Sequence, residues 1–223
     1  FERKTGTTFS DYRLRYGQSA QSLRPDEHQL RFVDVPTTKI HAKFRTEYVY
    51  RPEWGSITSF LDVSAAHLED NRNFYRLDRL GASTPEFGAL PSTTAALLQT
   101  LDTPNSYDSR HNSLNGTLGA RCTIWLGGKL PNQHITFTPT VNGSIERLTY
   151  RRDALHAHPR RNQLFFLPTL SWGFDNCHII YRMHAAYPEL LNLLDYTDNA
   201  DPLNLYYGNP HLQRSTSHKV TFS

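Results

Sequence analysis

The stretch KIHAKFRTEYVY, Lys39 to Tyr50, decides the fold. Its even positions are Ile40, Ala42, Phe44, Thr46, Tyr48 and Tyr50, while its odd positions include Lys39, His41, Lys43, Arg45 and Glu47. Successive side chains on a strand point to opposite faces, so one face of this segment is apolar and aromatic and the other is densely charged. A helix would scatter both sets around its circumference. The pattern fits a strand with apolar surroundings on one side and a wetted space on the other.

The same alternation recurs along the chain. Leu114 to Leu126 sets Leu114, Leu118, Ala120, Cys122, Ile124 and Leu126 against Asn115, Thr117, Arg121 and Thr123. From His134, the residues Ile135, Phe137, Val141 and Ile145 share one parity; the pattern slips before Leu148 and Tyr150, which predicts a bulge near Gly143. Asn162 to Trp172 places Leu164, Phe166, Leu170 and Trp172 on one side. Cys177 to Tyr187 opposes Ile179, Tyr181, Met183, Ala185 and Tyr187 to His178, Arg182 and His184. Shorter strands are expected at Tyr12 to Tyr16, Gln29 to Val35 and Ser56 to His67.

The connections add an independent argument. Arg51 to Gly55, Gly127 to Gln133 and Gly173 to Asn176 are short, whereas about Leu68 to Asn112, Arg151 to Arg161 and Pro188 to Ser215 are longer. Short turns alternating with long loops are the wiring of an outer-membrane barrel, with the turns on the periplasmic side and the loops outside. The expected fold class is therefore all-β, a transmembrane antiparallel β-barrel. A soluble jelly-roll shell protein is the alternative all-β reading, but it has no need for every second connection to be short.

Composition is compatible with this. The 223 residues are 38% apolar, with 12 Tyr and 12 Phe, and carry a net charge of +3; mean hydropathy is −0.59. Only alternate residues of a barrel strand face lipid, so a polar average does not exclude one. No apolar run approaches the roughly 18 residues of a transmembrane helix, which excludes a helical membrane protein. The small net charge gives no reason to expect nucleic acid as a partner. Cys122 and Cys177 could pair in an oxidising compartment or sit apart as small strand residues.

One motif goes further. CHIIYRMHAAYPELLNLLDYTDNA, from Cys177 to Ala200, is followed by DPLNLYYGNPHLQ, from Asp201 to Gln213, and then by RSTSHKVTFS. An alternating strand, a proline-marked exit, a "TDN.DPLN...GNP.L" loop and a re-entering strand together resemble the barrel of TonB-dependent receptors of Bacteroidetes-type outer membranes. That resemblance implies a cell outer-membrane location in a Gram-negative bacterium and energised import of a scarce ligand, or a barrel turned structural subunit beside other outer-membrane proteins. It also implies a barrel of about 22 strands, far more than 223 residues supply, so residues 1–223 are expected to form part of one barrel domain. The plug and the segment that contacts TonB would then lie outside this chain.

Within the resemblance, Asp201, Asn204, Gly208, Asn209 and Pro210 correspond to an ordered extracellular loop. Gly208 and Asn209 suit left-handed backbone, and Pro210 keeps Asn209 extended. Lys43, Arg45, Glu47, Arg121 and Arg182 fall at lumen-facing positions. Arg151, Arg152, Arg160 and Arg161 flank one loop, and their guanidinium forks match phosphate geometry; a lipid A contact is the reading this suggests, with outer-membrane lipid or lipopolysaccharide as the partner. The eleven histidines include His156 and His158, two apart, but none has a familiar ligand spacing, so no metal is expected. No phosphate loop or nucleophile elbow occurs either; no cofactor and no enzymatic activity are expected.

Overall fold

The structure, a computed structural model, describes residues 1–15, 27–127, 133–174, 177–201 and 204–223, the side chains at 14, 198–201, 204 and 205 left aside. The first strands are β1 (Glu2–Leu14), β2 (Glu27–Tyr50), β3 (Gly55–Arg76) and β4 (Tyr107–Trp125). They are followed by β5 (His134–Thr138), β6 (Thr140–Arg152), β7 (Leu155–Ala157), β8 (Arg160–Phe166), β9 (Thr169–Phe174) and β10 (Cys177–Ala186). A small hairpin of β11 (Thr197–Asp201) and β12 (Asn204–Tyr207) precedes β13 (Ser215–Phe222).

All strands except that hairpin lie in one antiparallel sheet. β5 and β6 are one line interrupted at Pro139, since Cys122↔Phe137 and Gly119↔Thr140 continue a single register. β8 and β9 likewise continue one line across Leu167 and Pro168, shown by Val141↔Phe166 and Phe137↔Leu170. Counted this way, each line pairs with the next in chain order from β1 to β13, a pure meander. The two packed layers of a jelly roll are not what these strands form.

The long strands revise several expectations. Gln29–Val35 and Lys39–Tyr50 are one strand, β2; its ladder to β3 lapses only at Val35 and Pro36, the latter having no N–H to give. β1 extends far beyond the expected Tyr12 start, because ERKTGTTFSDYRL is polar on both faces and shows no alternation to detect; Tyr16 lies outside the described residues. The 68–112 linker shrinks at both ends, as β3 continues to Arg76 and β4 begins at Tyr107. Asn162–Trp172 is two strands rather than one, divided where Pro168 breaks the ladder.

No bulge occurs near Gly143, which pairs regularly with Gly116 and Leu164. Leu148 and Tyr150 are apolar on the opposite parity for another reason: they are buried under Leu190 and Leu194 from the segment after β10. The cover changes side, and the strand does not slip.

The connections alternate as expected except at Arg151–Arg161, where Arg152 pairs with Leu155 and the expected long loop is a two-residue turn at Asp153 and Ala154. Arg51–Trp54, 126–133 and 175–176 join strands at one end of the sheet; 15–26, 77–106, 153–159 and 187–214 join them at the other. The packed cores lie at the long-loop end. The 77–106 connection, which includes the short helix α1 (Thr94–Gln99) capped by the Thr93 side chain on the Ala96 amide, lays Leu97 and Leu101 against Leu30, Phe32, Tyr75 and Leu77. Toward the short-turn end the sheet is bare on both faces, and β2 is exposed from Lys39 to Tyr50.

Candidate functional site: the two faces of the sheet

Because paired residues share a face, the registers sort every strand residue onto the Phe44 face or the Lys43 face. One row of the Phe44 face reads Thr46, Leu61, Leu118, Val141, Phe166. Another reads Tyr50, Ile57, Cys122, Phe137, Leu170, Tyr181, Val220. Apolar residues predominate in the rows from Ala42, Ala65, Leu114 and Ile145 to Ile124, Ile135, Trp172, Ile179 and Phe222, with Thr46, Ser59, Asn162 and His218 among them.

Large apolar side chains on this face stand open, with Phe44 61%, Leu118 60% and Leu164 74% exposed. On the Lys43 face only Val49 and Trp125 are comparable among the described strand residues. Ten residues separate the first and last of these rows, about 33 Å along the strands. Spread over the sheet's width, the patch is on the order of 1,000 Å², larger than soluble monomers expose. Its short-turn margin is aromatic: Tyr48, Tyr50, Phe137, Trp172, Tyr181 and Phe222.

The Lys43 face at the same level is polar. Arg45 bonds Glu47 and lies 3.7 Å from Asp62, which is 3.9 Å from Lys43. Glu47, Arg121 and Arg182 share this face with Lys43 and Arg45. His178 and His184 do so too, His178 standing edge-on to His134 at 5.7 Å. Among the described residues no three metal-ligating side chains converge.

At the long-loop end the Lys43 face is covered by the segment after β10. Leu190 and Leu194 seat on Leu148 and Tyr150, and burial pushes the Tyr150 phenol up. Tyr107, 5.6 Å from Tyr150, has its phenol raised first by burial and then by Asp70, whose carboxylate accepts its hydrogen bond at 3.2 Å.

The loop motif ties this cover down. The Gly208 amide donates to the Tyr196 carbonyl (3.0 Å), the Asn209 amide to the Asn192 carbonyl (2.7 Å), and the Asn209 side-chain oxygen accepts from the His211 amide (2.9 Å). Neither Gly208 nor Asn209 is left-handed, contrary to expectation. Glycine is required at 208 because a Cβ there would collide with the Leu194 carbonyl. Asp201 and Asn204 pair through their backbones in the β11–β12 hairpin, their side chains being outside the described residues, as is all of Pro202. Pro210 is exposed.

The four arginines expected together are divided by strand alternation. Arg152 and Arg161 belong to the Lys43 face and are committed internally. Arg152 is buried and donates to the Pro104 carbonyl at 2.6 Å; Arg161 donates to the Pro188 carbonyl at 2.5 Å and to Glu146 at 2.8 Å. Arg151 and Arg160 stand exposed on the Phe44 face. There they join Arg110, Arg147, His156 and His158, a grouping that strand parity on β4 and β6 would have revealed. Cys122 and Cys177 are both free and lie three strand spacings apart, about 14 Å, so they cannot bridge.

Compared with known proteins, the chain matches no family model, no curated protein and no solved structure.

Proposed function

We propose that this sheet is a stretch of the wall of a large transmembrane β-barrel in a Gram-negative outer membrane, and that the barrel imports a scarce ligand in the manner of TonB-dependent receptors. The observation that carries the wall reading is the exposed apolar band of the Phe44 face backed by the charged Lys43 face. At a strand tilt of about 40°, a 33 Å path stands roughly 25 Å tall, the height of the apolar belt of such barrels. The aromatic margin sits where one girdle belongs. Three long connections, 15–26, 77–106 and 187–214, leave the same end of the sheet and none leaves the other, which supports placing that end outside.

In this reading the Lys43 face lines the lumen, and residues 188–196 narrow it from the outer end. β1 and β13 each keep one edge unpaired among the described residues, where further strands of the barrel join. Import rests on the likeness of the Asp201–Gln213 loop and its flanking strands to that receptor family.

The test is a denaturing gel of the outer-membrane fraction of native cells, unboiled and boiled, probed for this chain. A heat-shifted band in that fraction is expected; a non-shifting band recovered in the soluble fraction overturns the wall. Import is tested separately, by asking whether the full polypeptide carries a plug and a TonB-contacting segment. Their absence would leave a structural barrel.

A further inference from the structure

Arg147 and Arg160 face each other directly across β6 and β8 on the Phe44 face. The Leu148 amide bonds the Pro159 carbonyl next to them, so 147 and 160 form the narrow, non-hydrogen-bonded type of pair, where side chains approach most closely. Two like charges so placed repel. Elsewhere the sheet compensates such a pair: Arg31 opposite Arg76 is bonded to Gln29, and Arg76 to Asp78 and Glu27. Arg147 and Arg160 have no carboxylate within ion-pair distance among the described residues, Glu146 being turned to the other face and bonded to Arg161.

The surroundings extend the charge. Toward the long loops lies a cavity of about 330 Å³ lined by Asp108, Arg110, Thr149, Arg151, His156 and His158. On this part of the face four arginines, Arg110, Arg147, Arg151 and Arg160, meet two carboxylates, Glu69, which holds Arg110 at 3.2 Å, and Asp108, opposite Arg151. Toward the short turns, the next row holds Leu114 and Ile145 with the polar Asn162, and the row after it Gly116, Gly143 and Leu164. Basic forks therefore stand at the upper margin of an apolar band.

We infer that Arg147 and Arg160, with Arg151 above them, clamp the phosphate of a membrane lipid whose chains lie down the Leu114, Ile145 and Leu164 surface. A guanidinium pair presents two forks to one phosphate, and the anion removes the repulsion that the bare pair carries. The inference rests on the membrane-wall reading. Arg152 and Arg161 take no part.

The experiment is native mass spectrometry and phosphorus assay of the full polypeptide extracted in detergent and washed stepwise. R147Q/R160Q is compared with R121Q/R182Q, which removes equal charge from the other face. Wild type and R121Q/R182Q should retain phosphorylated lipid through washes that strip R147Q/R160Q by tenfold or more, all three keeping the heat-shifted band. Equal retention by all three, equal loss in both variants, or displacement of the lipid by millimolar inorganic phosphate alone overturns the clamp. Failure of wild type to reach the membrane fraction would instead sink the wall.

Discussion

At the scale of single residues, neighbours in sequence live in different surroundings. Phe44 points into the apolar band and Lys43 into the charged face, so Phe44→Arg should cost insertion roughly 2 kcal/mol while Lys43→Arg costs little. Folding yields into lipid vesicles, read by heat modifiability, check this; equal yields would refute the register. This contrast was legible at Lys39–Tyr50 because nothing packs on either face there, leaving alternation unmasked. It was illegible for Arg151, Arg152, Arg160 and Arg161, where proximity in sequence suggested a cluster and strand parity divides it. Gly208 was singled out for conformational freedom, whereas in the structure it lets the Leu194 carbonyl approach.

At the scale of elements, the segment after β10 is held on the sheet by Leu190, Leu194 and the tyrosines beneath them. The Tyr107 phenol is raised, so its neutral form contributes stability that is fully present below the unfolded value of about 10 and is lost as pH rises toward the folded value. Protease access to residues 188–213 should therefore increase as pH climbs above about 10. Tyr107→Phe, which cannot ionise, should blunt that increase; an unchanged pH dependence in Tyr107→Phe would remove Tyr107 as its source. The sequence disclosed the strands where one face is apolar, yet it disguised this cover as a bulge. A switch of apolar parity has two causes, an inserted residue or a change in which face is buried, and only the partner segment tells them apart. Only the end of β1, from Tyr12, was legible, because apart from Phe9 the rest buries little on either side.

At the scale of the whole molecule, the meander was foretold by the rhythm of its connections, whose short members are set by the tight return between adjacent antiparallel strands. Protease added to intact cells should cut within 77–106 or 187–214 and spare Arg51–Trp54; cleavage confined to the short turns would invert the orientation. What the rhythm could not disclose is how the long connections settle, Leu97 and Leu101 on the Phe44 side, Pro104 and 187–196 on the other, since that depends on contacts between residues far apart in the chain. Pro139 and Pro168 have a further effect. They lie in neighbouring lines at one level, each accepting a ladder bond, from Ala120 and from Met183, and returning none. The Ala120 and Met183 carbonyls, on the strands that flank the two prolines, thus lose their usual donor at one level. The sheet is softest along this line, and deuterium should enter there soonest between the loops and the turns.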